Sequence, residues 1–94
     1  MKHLFTLMII TCLSIGTQAQ TTIAEARELP VGNVVTVKGV VTNGSELGNI
    51  RYLQDETAGI AAYSSTLSSV MRGDPILVTG TLKSYNNLLE IDPV

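Results

Sequence analysis

Few residues in this chain can do covalent chemistry, and two of them sit at its very start. The one histidine is His3 and the one cysteine is Cys12. Beyond them there is no Ser–His–Asp or Cys–His set, no zinc-ligand spacing and no glycine-rich phosphate loop. Asp55 and Glu56 form an acidic pair, but neighbours in a turn do not converge on one reacting atom as an acid/base couple. Asp55 is better suited to bonding the turn backbone, with Gly59 supplying a positive φ. Asp55, Glu56 and Asp74 lack the dense oxygen-ligand pattern of calcium loops. Gly44-Ser45 and Ser64-Ser65 read as loop and cap. The residues therefore predict a protein that is not an enzyme and uses no cofactor or metal.

Recognition chemistry remains. "NIRYLQDETAGIAAY" (Asn49 to Tyr63) holds Arg51, Tyr52, Gln54 and Tyr63, and "LKSYNN" holds Lys83, Tyr85 and Asn86. Tyrosine rings stack on bases and sugars, at about 1–3 kcal/mol per stacked base. Lysine meets phosphate. The same tyrosines also serve as ordinary half-buried strand residues, where cross-strand aromatic pairs stabilise a sheet.

The elements that position these residues follow from periodicity. Thr22-Ile23-Ala24-Glu25 fits a capping box with Thr22 as N-cap, opening a short helix that Pro30 and Gly32 stop. "NVVTVKGVVT" (Asn33 to Thr42) is β-branched and alternating, with Val35, Val37 and Val41 on one face and Val34, Thr36, Lys38 and Val40 on the other. Gly39 interrupts it, which predicts a bulge or a sharp bend at a barrel corner. Asn43 to Asn49 is a loop by composition. Strands are predicted at Ile50 to Gln54 and Ile60 to Tyr63, with Asp55 to Gly59 as the turn. In "SSTLSSVMRG", Leu67, Val70 and Met71 fall at helical spacing, Ser64 or Ser65 can cap, and Gly73 can stop the helix. Pro75 opens a strand with Gly80 inside it, "SYNN" turns the chain, and Leu88 to Ile91 is the last strand.

The order β-β-β-α-β-β predicts an all-β, five-stranded OB-fold, a Greek-key barrel with one or two short helices. A long first strand that bends at a central glycine suits it, because that strand must pair on both sides of a small closed barrel. An open five-stranded sheet with one helix is the competing architecture. If Leu53 and Ile60 point inward, Tyr52, Gln54, Ala61 and Tyr63 point outward onto the face where OB-folds bind, rimmed by Tyr85 and Asn86. Arg51 shares the parity of Leu53 and is expected at a barrel rim, its stem along apolar surface and its head in water.

Residues 1–19 read as a secretory signal peptide: Lys2 and His3, an apolar run from Leu4 to Ile10, then small and polar residues up to a cut after Ala19. The domain is then 20–94, exported to the periplasm or beyond, without cysteine and so without disulfides. About 75 residues is near the lower limit for an independent core. Removing Lys2 leaves five bases against eight acids, a net charge of −3. An acidic domain has little electrostatic pull on nucleic acid, where phosphate contacts dominate affinity.

"VVTVKGVVTN", "RYLQDETAGIAAY" and "GDPILVTGTLKSYNNLLEI" resemble exported bacterial OB-fold domains, over nearly all of residues 21–94. One such group is the module near the N-terminus of secreted nucleases and other large exported proteins of Bacteroidetes-type bacteria. The other is the small periplasmic bacterial OB-fold family. The first resemblance implies single-stranded nucleic-acid binding, or substrate docking for a linked nuclease. In either case the exported domain is expected to be a monomer away from the membrane. The second implies a self-contained protein that binds a small ligand, a cation or a protein partner. Fold likeness by itself establishes neither.

Overall fold

The computed structural model describes residues 19–94; the signal peptide expected at residues 1–19 lies, up to residue 18, outside the described residues. In chain order the elements are β1 (Gln20–Thr21), α1 (Ile23–Arg27), β2 (Val34–Val41), β3 (Ile50–Gln54), β4 (Gly59–Tyr63), β5 (Pro75–Tyr85) and β6 (Leu88–Pro93). The strands lie in the order β1-β2-β3-β4-β6-β5, and β2 pairs again with β5, so the sheet closes on itself. β4 and β6 run parallel, as do β1 and β2; the other pairs are antiparallel. The five long strands form an OB-like barrel, to which β1 adds a two-residue edge.

Strand alternation builds the core as the pattern predicts. Val35, Val37 and Val41 of β2 are buried, with Leu53, Ile60, Val78, Leu82 and Ile91 from the other strands. Val34, Lys38 and Val40 face outward. Thr36 also lies on the outer side but is covered, its hydroxyl 2.8 Å from that of Thr79 on the paired strand.

Glycines mark where the two long strands change partner. β2 pairs with β5 from Val34 to Val40 and with β3 at Val40 and Val41. Next to that switch, a Cβ on Gly39 would stand 3.1 Å from the Gln54 carbonyl oxygen and 3.2 Å from Leu53 Cβ. β5 pairs with β2 up to Thr81 and with β6 from Gly80 onward. A Cβ on Gly80 would strike the Asp92 carbonyl and come within 2.7 Å of Ile91 Cγ2. The bend expected at Gly39 is thus a point of close backbone approach, and Gly80 is its tighter counterpart.

α1 closes one end of the barrel. Ile23 and Ala26 are fully buried in the core, and burying the Ile23 side chain contributes about 2 kcal/mol. The capping box forms, with Thr22 Oγ1 accepting from Glu25 N at 3.1 Å and Glu25 Oε1 accepting from Thr22 N at 3.0 Å. The remaining free amides at this helix start find partners in the β3–β4 turn: Ile23 N donates to Asp55 Oδ2 at 2.9 Å and Ala24 N to Thr57 Oγ1 at 3.0 Å.

Two local expectations are corrected. The helix expected after β4 is only a 3-10 turn, Ser65–Leu67, capped by Ser64 Oγ on Thr66 N. Leu67 does reach the core, but Met71 is exposed. Beyond this turn the Ser68 and Val70 carbonyls accept from Arg51 instead of from a following helical turn. The barrel order is therefore β-β-β, a 3-10 turn, then β-β, with the α-helix ahead of the barrel. Gly73 does have positive φ, but it turns the chain into β5 rather than ending a helix. Gly59, in contrast, is not among the positive-φ residues; a Cβ there would stand 3.2 Å from the Leu53 carbonyl oxygen, so its role is close approach across the hairpin.

Candidate functional site

Four strands carry one row of side chains across the outer surface. Tyr52 lies opposite Ala61 in the β3–β4 pair, Ala61 opposite Glu90 in the β4–β6 pair, and Glu90 opposite Lys83 in the β5–β6 pair. On the neighbouring rows Ile50 faces Tyr63 and Leu88 faces Tyr85. The result is a groove of about 410 Å³ lined by Ile50, Tyr63, Lys83, Tyr85, Leu88 and Glu90. Two phenol rings border it, 48% exposed at Tyr63 and 64% at Tyr85.

The groove is acidic at its base. Glu90 is only 4% exposed, and among the described residues its carboxylate makes no hydrogen bond and no ion pair. Lys83, its cross-strand neighbour, leans the other way. The Lys83 ammonium lies 4.0 Å from Asp92 Oδ2 and 6.0 Å from the centre of the Tyr63 ring, the outer limit of a cation–π contact. The carboxylate lines the groove with no cation against it, so a cationic group entering there meets it directly.

The hairpin that holds Tyr85 is set by Asn86 and Asn87. Both have left-handed backbone, φ 52° and 69°, the conformation a two-residue β-hairpin turn needs and asparagine tolerates. Asn86 thereby fixes Tyr85 opposite Leu88 at the groove edge.

The seven residues expected at a binding face separate into three places. Tyr63, Lys83 and Tyr85 meet in the groove, Asn86 follows Tyr85 in the turn without lining it, and Tyr52 lies half-buried beside Ala61. Gln54 is exposed but lines a different groove of about 510 Å³, together with Gln20, Lys38 and Glu56. Arg51 is inside, not at a wet rim. It is 0% exposed; Nε donates to Val70 O at 2.7 Å, Nη1 to Gly48 O at 2.7 Å and Ile50 O at 2.9 Å, and Nη2 to Ser68 O at 3.2 Å. A guanidinium occupied by four carbonyls is a strut between two loops.

Two contributors escape the sequence pattern. Glu90 reads only as a polar strand residue in "LLEI", and its burial depends on the β4–β6 pairing. Asn43 reads as loop, yet it is buried: Nδ2 donates to Gly44 O and Ile50 O, each at 3.1 Å, and Oδ1 accepts from Tyr52 N at 2.8 Å. It braces the half of β3 that carries Ile50 and Tyr52.

Away from the groove, two carboxylates titrate low. Burial works to raise Asp55, but hydrogen bonds from the Thr57 hydroxyl, Ile23 N, Thr57 N and Ala58 N outweigh it and hold the group well below the usual carboxylate range. Glu46 is lowered by backbone hydrogen bonds, its own amide first and then Gly44, with the Arg72 guanidinium adding to them. Among the described residues no three His, Cys, Asp or Glu side chains gather to hold a metal ion.

The fold has counterparts among solved structures. Eleven solved chains match this one. Among them is the hypothetical protein ygiW from E. coli, 20% identical, with a TM-score of 0.66 over 83% of this chain and 91% of that one. The fold is that of a small bacterial OB-like domain. No family model matches the chain, and no curated protein matches it.

Proposed function

We propose that this chain is an exported, non-catalytic OB-fold module that binds a small organic cation across the outer face of β3, β4, β6 and β5. One observation carries the reading: the Glu90 carboxylate, with no ion pair among the described residues, lines a groove walled by Tyr63, Tyr85, Leu88 and Ile50. A ligand with an ammonium or guanidinium group beside an apolar or flat part meets the acid with its charge and the rings with its body. The acidic mature chain attracts such a ligand at long range.

A second reading, single-stranded nucleic acid, is favoured by the two exposed rings, since stacking on Tyr63 and Tyr85 is tolerant of sequence. Phosphate finds little else on this face. Its one base is Lys83, shared with Asp92 and next to Glu90.

The two readings separate in one titration series on the mature domain, followed by amide chemical shifts of Tyr63, Tyr85 and Leu88. The probes are agmatine, spermidine and a short oligo-dT. The expected result is movement of these resonances with the cations, abolished in Glu90→Gln while its melt and spectrum stay folded. Binding of oligo-dT alone, or cation binding indifferent to Glu90→Gln, overturns the small-cation reading.

A further inference from the structure

Asn43-Gly44 is a dipeptide in which a backbone nitrogen readily attacks the preceding side chain, because glycine leaves that nitrogen unhindered. In that reaction the Gly44 nitrogen loses its proton and bonds to Asn43 Cγ, while the side-chain nitrogen leaves as ammonia. Water then opens the succinimide at either carbonyl, giving aspartate or isoaspartate without any change of oxidation state.

The fold restrains both partners of this step. Gly44 N–H donates to Glu46 Oε1 at 2.9 Å. Glu46 is itself anchored, with Oε2 2.8 Å from Arg72 Nη2, and Arg72 Nε donates to Thr42 O at 3.1 Å. Asn43 is 6% exposed, and its amide is held by Ile50 O, Gly44 O and Tyr52 N. The nitrogen therefore points at a carboxylate rather than at Cγ, and water has little access to the ring that would form.

We propose that Asn43 is a latent deamidation site, kept closed by the Glu46–Arg72 latch and exposed whenever the β2–β3 loop (Thr42 to Asn49) opens. Conversion is one-way in its effect. An aspartate at 43 has no N–H for Ile50 O or Gly44 O and puts a carboxylate against both carbonyls. Isoaspartate also lengthens the backbone by one carbon. Either product loses the donations to Gly44 O and Ile50 O that hold this end of β3. Loss of order there needs no ligand to be observed, so the inference stands apart from the binding reading above.

The test follows Asn43 by peptide mass mapping and by enzymatic methylation of isoaspartate, during incubation of the folded wild type, Glu46→Ala and Arg72→Ala, with urea-unfolded wild type as the open reference. The folded wild type should convert more slowly than the unfolded chain, on the order of tenfold or more, because local opening gates the reaction. Both variants should convert several-fold faster than folded wild type, while Asn33 and Asn49, each followed by a β-branched residue, change little. Arg72→Ala keeps the Glu46 acceptor and removes its anchor together with the donation to Thr42 O, so it decides the matter if Glu46→Ala does not fold. Hydrogen exchange at Tyr52 N should rise in the converted product. Equal rates for folded and unfolded wild type, or variants that remain folded and convert at the wild-type rate, overturn the proposal.

Discussion

The Asp55 carboxylate in the β3–β4 turn accepts the backbone N–H of Ile23 at 2.9 Å, across 32 residues of chain. Its other oxygen takes Thr57 N at 2.8 Å, the Thr57 hydroxyl at 2.6 Å and Ala58 N at 3.0 Å. One side chain thus shapes the hairpin turn and anchors the helix that plugs the barrel. Asp55→Ala should destabilise the domain by about 2 kcal/mol, since hydrogen bonds to a charged group are lost together. In a domain this small the thermal midpoint should fall by on the order of 10 °C.

The same carboxylate predicts acid sensitivity. Its folded pKa lies below the unfolded one, so on acidification the unfolded chain takes up a proton that the folded chain resists. The stabilisation is whole above about pH 5 and is lost progressively as pH falls through about 4 and below. Asp55→Asn should be less stable than wild type at neutral pH, with a shallower loss of stability between pH 5 and 3 in urea titrations. Parallel slopes for the two proteins would sink this account.

Arg51 is predicted to act on stability alone. Arg51→Leu leaves the Gly48, Ser68 and Val70 carbonyls without their donor, at a cost on the order of 3 kcal/mol. Arg51→Lys recovers only part of this, because an ammonium does not span the positions a planar fork reaches. Urea midpoints measure both changes.

Gly80→Ala should be among the most damaging single substitutions in the chain. The added methyl meets the Asp92 backbone, which cannot move without breaking the β5–β6 pairing, and overpacking of this kind costs about 3 kcal/mol or more. Gly32→Ala provides the contrast: nothing lies within 4 Å of its Cβ, so its cost comes only from its φ of 102° and should be about 1 kcal/mol.

On the outer face, exposure should separate binding from folding. Tyr85→Ala, in a side chain mostly in water, should weaken ligand binding and leave the melt within about 0.5 kcal/mol of wild type. Tyr52→Ala, in a half-buried one, should lower the melt itself. Chemical denaturation alongside the cation titration reads both.

Much of this protein is written locally. Alternation in "NVVTVKGVVT" names the inward valines because side chains on a strand have a period of two, and the Thr22–Glu25 cap forms because both partners lie within one turn. Gly39 announces a bend in its strand, and Asn86-Asn87 announces a turn; that Gly39 and Gly80 are points of close approach is a tertiary fact. Tertiary structure decided the rest. Arg51 shares its parity with core residues, but whether its head reaches water depends on where the loops at Gly48 and Ser68 pass. The serine-rich segment after β4 has the spacing of a helix but forms a single 3-10 turn, and two of its carbonyls, Ser68 and Val70, meet that arginine. Glu90 becomes the base of a groove only because β4 and β6, 29 residues apart at the paired Ala61 and Glu90, run side by side. Local pattern fixes which way a side chain points. Only the closing of the barrel fixes what it then meets, because burial is a property of the neighbours that long-range pairing brings.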